Sequence, residues 1–276
     1  MDHKSDQDQN PNTPYRYNKM TPTSVTILGS GTCVPSLKRS SCAVLLEIGE
    51  AKLLFDSGPG TMHRLLSTGI QIFDIDVICY SHFHPDHTGE LVPFIFATKY
   101  PDSNRRNRLL TIIGGDGFIN FFNGLKAVYG DGLELPDGML RFLELDNNGP
   151  DSRNFASFTL ETMPMNHREE SIGYRITNPD GKSIVYSGDT DTNENLVSLA
   201  TGADLLICES AMPDALKVPG HLTPSLAGDM ATRANVKKLV LTHLYPECDQ
   251  VDLAAQCRKT YQGPLLIAED LMKIEL

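Results

Sequence analysis

A short segment of the chain, Ser81–His87, carries four strong metal ligands within six positions. They are His82, His84, Asp86 and His87. Neutral imidazoles and a carboxylate suit zinc, with manganese or iron as alternatives. On an extended or turning segment His82 and His84 point the same way and can share one ion. Asp86 and His87 lie on the next turn and can serve a neighbouring ion, although a polar loop that merely contains histidines is the competing interpretation.

Three further candidate ligands follow predicted strands, namely His167, Asp189 and His243. Taken alone, a histidine at the end of a strand is more often a core or surface residue than a ligand. Ligand-binding sites in folds with covered sheets usually lie at the edge where the strands end. The seven residues together therefore predict one site for two ions. Asp189 can bridge both ions because a carboxylate has two oxygens.

The elements that must position these residues are short β-branched runs that alternate with turn residues and helical patterns. Strands are predicted at residues 24–28, 43–48, 52–55, 76–80, 157–163, 171–176, 183–187, 204–208 and 238–241, and helices at 60–69, 90–98, 194–200 and 224–234. A further strand and helix are predicted between residues 112 and 130. Strands and then helices, twice over and without a linker, predict an α/β fold of two sheets packed face to face with helices outside. We expect one domain over residues 24–276.

The N-terminal residues 1–23 are polar and lack the apolar segment of a signal peptide, and their acidic residues argue against a transit peptide. We therefore expect a flexible tail on a cytoplasmic protein. No apolar stretch approaches the roughly 20 residues of a membrane span. The six cysteines form no C-x-x-C pair, and Cys79 and Cys208 stand in apolar runs, which predicts buried thiols rather than a disulfide framework.

The chain of 276 residues has a formal net charge of −11. An acidic protein is a poor candidate for broad nucleic-acid binding, which requires a basic surface that displaces counterions. Two divalent ions carry four positive charges and would bring the net charge to about −7. Bound cations of this kind are often the largest local charges in a site. Much of the remaining negative charge lies in Asp131–Asp151, which has six acidic residues and a single arginine. The balance permits phosphate chemistry at a metal site and argues against a large RNA substrate.

The four clustered ligands match the H-x-H-x-D-H signature, and through it the chain resembles the metallo-β-lactamase superfamily. More narrowly, residues 25–244 resemble the ribonuclease Z-like branch. The matching segments are Leu28-Gly-Ser-Gly-Thr with Pro35 and Arg39, Phe55-Asp-Ser-Gly-Pro-Gly-Thr, Gly188-Asp-Thr, Glu209, His221-Leu-Thr and Thr242-His. The resemblance implies an αββα sandwich, in which two mixed sheets with outer helices carry a dinuclear site at their shared edge.

The same resemblance assigns the ligands to two ions, zinc by preference. One ion is expected to bind His82, His84 and His167. The other is expected to bind Asp86, His87 and His243. Asp189 would lie between the two ions.

The resemblance also implies three catalytic residues, Asp86, Glu209 and His221. Glu209 would orient the imidazole of His221, which would donate a proton to the leaving group. A poor leaving group such as a ribose oxygen needs that acid, whereas an activated ester does not. Ordinary loop residues are the competing interpretation of Glu209 and His221. Asp56 is expected to support the ligands or to hold its own loop.

These features predict a dinuclear metal-dependent hydrolase, and more narrowly a phosphodiesterase that uses a hydroxide held between the ions. Its expected substrate is a small or accessible phosphodiester. A ribonuclease Z that processes the 3′ ends of transfer RNA is an alternative, which the Glu209–His221 pair favours. The net charge and the lack of a Gly/Pro-rich arm between His87 and His167 disfavour it. A lactonase or arylsulfatase, and a non-catalytic metal-stabilised binding module, are further alternatives.

Two surface features bear on partners. A short basic run follows the predicted helix 90–98 and consists of Lys99, Arg105, Arg106 and Arg108. These residues could contact a phosphate, or they could belong to a solvated loop. Ribonuclease Z-like proteins are often dimers, and the apolar face Leu91–Phe96 could support a homodimer. Burial of that face in the core explains its composition as well.

Overall fold

The computed structural model of the protein describes residues 21–100 and 106–276. Residues 1–20 of the predicted flexible tail lie outside the described residues, as does Arg105 of the basic run. Thr23, the last residue assigned to that tail, already belongs to the first strand. None of the helices in these two described ranges is long and apolar enough to cross a membrane.

The first of two seven-stranded sheets is built mainly from the first half of the chain. Its strands are β1 (Thr23–Gly29), β2 (Ala43–Ile48), β3 (Ala51–Phe55), β4 (Val77–Cys79), β5 (Leu110–Gly115), β6 (Leu140–Leu145) and β14 (Met272–Glu275). They lie in the order β14-β1-β2-β3-β4-β5-β6. Pairing is antiparallel from β14 to β3 and parallel from β3 to β6, which makes the sheet mixed.

The second sheet follows in the other half of the chain. Its strands are β7 (Asp151–Asn154), β8 (Thr159–Pro164), β9 (Ile172–Thr177), β10 (Ser183–Tyr186), β11 (Leu205–Glu209), β12 (Leu239–Thr242) and β13 (Leu265–Ile267). They lie in the order β13-β12-β11-β10-β9-β8-β7. Since β8 and β10 are both antiparallel to β9, and β10 to β13 pair in parallel, β8, β10, β11 and β12 all run in one direction. Their C-terminal ends therefore lie along one edge of the sheet.

The core lies between the two sheets and on both of their outer faces. Alternate residues of each strand point inward, so side chains such as Ile27 and Phe55 of the first sheet pack against Tyr174 and Ile207 of the second. The outer face of the first sheet is covered by α1 (Thr61–Ser67), α3 (Leu91–Lys99) and α4 (Phe118–Tyr129). The outer face of the second is covered by α5 (Glu194–Ala200), α6 (Pro224–Arg233) and α7 (Leu253–Cys257). The layers are αββα, which confirms the predicted fold class.

The described residues of the basic run make hydrogen bonds and an ion pair with other parts of the chain. Arg106 is buried and donates to the carbonyl oxygens of Ile72 and Ile75. Arg108 pairs with Asp76, and Lys99 donates to a backbone carbonyl of a neighbouring turn. These contacts favour a structural role for the described residues of the run over phosphate binding.

The apolar face of α3 contributes to the core. Leu91, Phe94 and Ile95 are fully buried under the first sheet, whereas Phe96 is exposed. Burial therefore explains most of the apolar stretch on which the homodimer expectation was based, and the homodimer stays a prediction.

Candidate metal centre

The clustered ligands follow β4 directly. The chain leaves the sheet at Cys79, bends at Ser81, and then forms a single helical turn, α2 (Pro85–Thr88). Pro85 occupies the first position of this turn, where its missing N–H costs nothing and its fixed φ favours the helix. His84 is held extended just before the turn, while Asp86 and His87 lie within it. The local geometry thus separates the histidine pair from the later ligands.

Three imidazoles form the first cluster, which we define as His82, His84 and His167. Nδ1 of His84 lies 3.0 Å from Nε2 of His82 and 3.2 Å from Nε2 of His167. His167 comes from the loop after β8, and its Nδ1 contacts the carbonyl oxygen of Gly220 at 2.9 Å, which turns Nε2 toward the cluster. His167, whose surrounding sequence carries no tight motif, therefore lies next to the other candidate ligands.

The second cluster consists of Asp86, His87 and His243, which are grouped closely enough to share one ion. His87 is fully buried, and His243 follows the last residue of β12. Oδ2 of Asp86 lies 3.6 Å from Nε2 of His243 and 3.9 Å from Nε2 of His87. These three residues come from both sheets of the sandwich.

Asp189 lies between the two clusters. Its Oδ1 is 3.4 Å from Nε2 of His243, and its Oδ2 is 3.3 Å from Nε2 of His87. The same Oδ2 is 3.7 Å from Nε2 of His82 and 3.9 Å from Nε2 of His167. A single buried carboxylate therefore faces both groups of ligands.

The backbone near the ligands adopts rare conformations. His243 and Asp56 have φ values of 57° and 56°, in the left-handed region that non-glycine residues seldom occupy. Gly188, with φ of 57°, precedes Asp189, and a Cβ there would lie 2.5 Å from Cβ of Ser81. Such conformations persist only where the surrounding structure enforces them, and they concentrate at functional sites.

Asp56 holds the ligands from behind and is fully buried at the end of β3. Its Oδ1 accepts a hydrogen bond from the backbone N–H of Ser81 at 2.8 Å. Its Oδ2 is 2.7 Å from Nδ1 of His87 and accepts from the hydroxyls of Ser81 and Tyr186. A carboxylate behind an imidazole fixes the ring and makes its free nitrogen a stronger ligand.

The contacts of Ser81, Tyr186 and Gly220 were not predicted from the sequence. Serine, tyrosine and glycine at strand ends give no motif of their own, so no sequence signal marked them. The structure shows what each contributes: the two hydroxyls donate to Oδ2 of Asp56, and the carbonyl of Gly220 contacts Nδ1 of His167.

The protonation states of the ligands suit a cation. Burial lowers the pKa values of His82, His84 and His167, so these imidazoles stay neutral and keep a lone pair for a metal. Burial would raise the pKa of Asp189, but the neighbouring His243 and His87 hold it well below its usual range. The result is an ionised carboxylate beside the neutral imidazoles of the first cluster.

Hydrogen bonding also indicates that the residues fit metal ions. Nε2 of His87, Oδ1 of Asp189 and both ring nitrogens of His243 are buried without a hydrogen-bond partner in residues 21–100 and 106–276. Unsatisfied buried polar atoms are costly and rare. Zinc–nitrogen bonds of about 2.0–2.1 Å in a tetrahedral site place two nitrogens roughly 3.3 Å apart, close to the spacings within the first cluster.

Glu209 and His221 form a hydrogen-bonded pair beside Asp189. Nδ1 of His221 lies 2.9 Å from Oε1 of Glu209 and 3.9 Å from Oδ2 of Asp189. Glu209 is buried and accepts from the backbone N–H groups of Thr190 and Ala211. Burial by itself would lower the pKa of His221, but the bond to Glu209 raises it. The geometry suits a protonated imidazole at the edge of the ligand cluster.

Comparisons with known proteins bear on this arrangement. A sequence model of the beta-lactamase superfamily domain matches residues 51–244, which include all seven candidate ligands. The chain belongs to the metallo-β-lactamase superfamily. A metallo-β-lactamase fold protein from Bacillus subtilis, YhfI, superposes with a TM-score of 0.79 at 23% identity, over 93% of this chain and 100% of that one.

Similarity to two known proteins assigns this metallo-β-lactamase superfamily member to the ribonuclease Z-like branch. A ribonuclease Z from Archaeoglobus fulgidus is 28% identical over 91% of this chain and 97% of its own length. The short form of human tRNase Z has a TM-score of 0.72 at 26% identity, over 91% of this chain and 98% of that one. The predicted branch is thereby confirmed, as is the prediction of a metal-dependent hydrolase with a site for divalent metal.

Proposed function

We propose that the protein is a dinuclear phosphodiesterase, with two zinc ions held by the first and second clusters and Asp189 between them. The observation that supports this proposal is the Glu209–His221 pair, an imidazole hydrogen-bonded to a carboxylate beside the seven candidate ligands, where it could donate a proton. When bound, two divalent ions supply a nucleophile at neutral pH and stabilise the charge of the phosphate oxygens.

The residues of the chain have distinct parts in this chemistry. Asp86 stays ionised, because His243 and His87 outweigh the effect of burial and lower its pKa, so it serves as an anionic ligand. Glu209 faces Nδ1 of His221, which leaves Nε2 of that ring to carry a proton toward a departing alkoxide. The side chain of His221 is 14% exposed, so a substrate can reach it.

A small or accessible phosphodiester is the proposed substrate. The net charge of −11 opposes a large polyanionic ligand, and the described basic residues 99, 106 and 108 are used within the fold. Processing of transfer RNA 3′ ends is the second candidate, which the names of the two ribonuclease Z relatives and the Glu209–His221 pair favour. Lactones and activated sulfate esters do not need an acid at the leaving group, so the pair gives them no support.

The proton-donor role is tested with His221→Ala on two substrates. Loss of the acid should lower kcat/KM by about 10²- to 10⁴-fold for a dinucleotide, whose alkoxide leaving group needs a proton, and by only a few-fold for bis(p-nitrophenyl) phosphate. His63→Ala, at an exposed histidine on α1, is the matched control and should leave both rates unchanged. Equal losses on the two substrates would contradict the role.

The substrate class is tested with the metal-loaded protein on a dinucleotide, a cyclic nucleotide, a lactone and a precursor transfer RNA. Elemental analysis should find two zinc ions per chain. Preference for a small phosphodiester supports the proposal, and preference for the precursor RNA would establish the second candidate instead.

A further inference from the structure

Three loops that carry site residues leave the same edge of the second sheet. The loop after β8 carries His167, the loop after β10 carries Asp189, and the loop after β11 carries His221. We name the last of these, residues 210–223, the His221 loop. Because β8, β10 and β11 run in one direction, the three loops start along one edge. Contacts between the loops therefore decide where the proton donor lies relative to the ligands.

The backbone of Asp191 is bound to the loop after β8. Its N–H donates to the carbonyl oxygen of Asn166, the residue before His167, at 2.9 Å. The hydroxyl oxygen of Thr190 accepts from the backbone N–H of the same Asn166 at 3.0 Å. These two hydrogen bonds fix the backbone at Asp191 against the segment that leads into a candidate ligand of the first cluster.

The carboxylate of Asp191 contacts the His221 loop. Its Oδ2 accepts from the backbone N–H of Gly220 at 3.0 Å and from Nζ of Lys217 at 2.8 Å. Its Oδ1 accepts from the backbone N–H of Thr192 at 2.8 Å, which orients the carboxylate. Since Gly220 directly precedes His221, the carboxylate holds the backbone at the point where the residue of the proton donor begins.

Gly220 connects this carboxylate to the first cluster. Its N–H donates to Asp191, whereas its carbonyl oxygen lies 2.9 Å from Nδ1 of His167. Its φ of 81° lies in the left-handed region, and a Cβ at this position would lie 3.1 Å from Nδ1 of His167. The rings of His167 and His221 are 4.8 Å apart. One glycine therefore links Asp191 both to a candidate ligand and to the proton donor.

His221 is held at two points. Glu209 contacts Nδ1 of its ring at 2.9 Å, and the hydrogen bond from Gly220 to Asp191 holds the backbone just before it. A displacement of about 1 Å from the reacting geometry can lower a rate by roughly 10²-fold. The backbone contact therefore bears on proton transfer, although the carboxylate of Asp191 acts through the backbone and not on the ring.

We propose that Asp191 is a positioning residue, which acts through Gly220 to hold the His221 proton donor at a fixed place beside the first cluster. The inference rests on the proposed phosphodiesterase function and deepens it, because it assigns the group that keeps the acid and the metal ligands together. Loss of the carboxylate displaces the proton donor and loosens His167, while the second cluster keeps its own contacts.

The test measures kcat of Asp191→Ala on two substrates at saturating zinc. For a dinucleotide, whose alkoxide leaving group needs a proton, kcat should fall by roughly 10- to 100-fold, and for bis(p-nitrophenyl) phosphate by less than about threefold. KM should change by less than about twofold for either substrate, because the contacts of the carboxylate act on the position of the acid. Asp191→Asn keeps an oxygen that accepts from the N–H of Gly220 and should restore most of the rate on the dinucleotide.

Asp214→Ala is the matched control, because Asp214 lies in the same loop and has contacts of the same kind. Its carboxylate accepts from Nζ of Lys259 at 2.8 Å and from the backbone N–H of Ser225 at 3.1 Å. This variant should lower the melting temperature about as much as Asp191→Ala but leave the ratio of the two kcat values unchanged. The same change of that ratio in both variants would show a general loosening of the loop and would overturn the assignment.

Zinc binding separates this inference from the proposed function. In a His243→Asn background, which lacks a ligand of the second cluster, competition with a chelator reports on the first cluster. Asp191→Ala should weaken zinc binding there by roughly 3- to 10-fold, less than the loss of a direct partner of a ligand, and Asp214→Ala should not. Unchanged zinc affinity together with an unchanged ratio of kcat values would overturn the positioning role and leave the phosphodiesterase standing. If no phosphodiester is hydrolysed while Asp191→Ala alone weakens zinc binding, the proposed function fails and the link from Asp191 to His167 stands.

Discussion

The two ligand clusters face the same carboxylate but are held in different ways. In the first cluster, neutral groups orient the rings: the hydroxyl of Ser81 contacts Nδ1 of His82, and the carbonyl of Gly220 contacts Nδ1 of His167. In the second cluster, the buried carboxylate of Asp56 contacts Nδ1 of His87. The second cluster also includes a carboxylate ligand of its own, whereas the first consists of imidazoles alone.

This difference indicates how each cluster attracts a cation. Burial lowers the pKa values of the imidazoles in the first cluster, which keeps them neutral. In the second, burial also opposes the charged form of His87, but the carboxylates of Asp189 and Asp56 raise its pKa well above its usual value. A positive charge is therefore stabilised there more strongly, and we expect the second cluster to depend more on the groups behind it.

Removing the shared carboxylate should have the largest effect, because it acts on both clusters at once. Asp189→Ala should release both ions and lower phosphodiester hydrolysis by roughly 10³-fold or more. Elemental analysis and steady-state rates measure the two effects. Full metal content together with full activity would contradict the placement of Asp189 between the clusters.

Removing one ligand from each cluster should separate them. His84→Asn and His243→Asn should each leave about one ion per chain and lower kcat by roughly 10²-fold, since the two-metal arrangement is broken in either case. Asparagine is chosen because it tolerates the left-handed backbone of residue 243. Loss of both ions in either variant would show that the clusters bind metal as one unit.

Substitutions of the residues that hydrogen-bond to the candidate ligands should have the smallest effects on metal affinity. They test whether the two clusters are held in different ways. Asp56→Asn should lower metal affinity at the second cluster by about 10- to 100-fold, as is usual for a carboxylate behind a metal-binding histidine. Ser81→Ala removes a hydroxyl that contacts both Nδ1 of His82 and Oδ2 of Asp56, and it should lower metal affinity only a few-fold, because the lost group is neutral. Competition with a chelator measures both affinities, and an equal loss in the two variants would remove the distinction.

Much of the site was predictable because its ligands are chemically unusual residues at strand ends. The predicted strands 204–208 and 238–241 correspond to β11 and β12, which the structure ends one residue later, at Glu209 and Thr242. The seven candidate ligands are brought together in space. Their role as ligands, and the catalytic roles of Asp86, Glu209 and His221, stay predictions.

Other parts could not be predicted for physical reasons. Strand β6 lies within the acidic segment 131–150, where alternating charged and apolar residues of a partly exposed strand resemble a solvated loop. Strands β13 and β14 are three and four residues long. They are too short to show the alternation of apolar and polar residues that indicates a strand. The contacts of Asp56 depend on distant residues such as Tyr186, and no local pattern encodes them.

The pairing of β1 with β14 has a consequence for how the protein is made. Ser24 lies opposite Glu275, and Asp270, close by in the sequence, accepts hydrogen bonds from Ser30 and Ser40 near the two ends of the loop Thr32–Ser41. Contacts of such sequence separation form late, because closing a long loop costs entropy before any contact is gained. A ribosome must therefore translate nearly to residue 275 before the loop Thr32–Ser41, which lies beside Asp86, can take its final position, so the proposed phosphodiesterase activity should arise only after synthesis of this C-terminal segment.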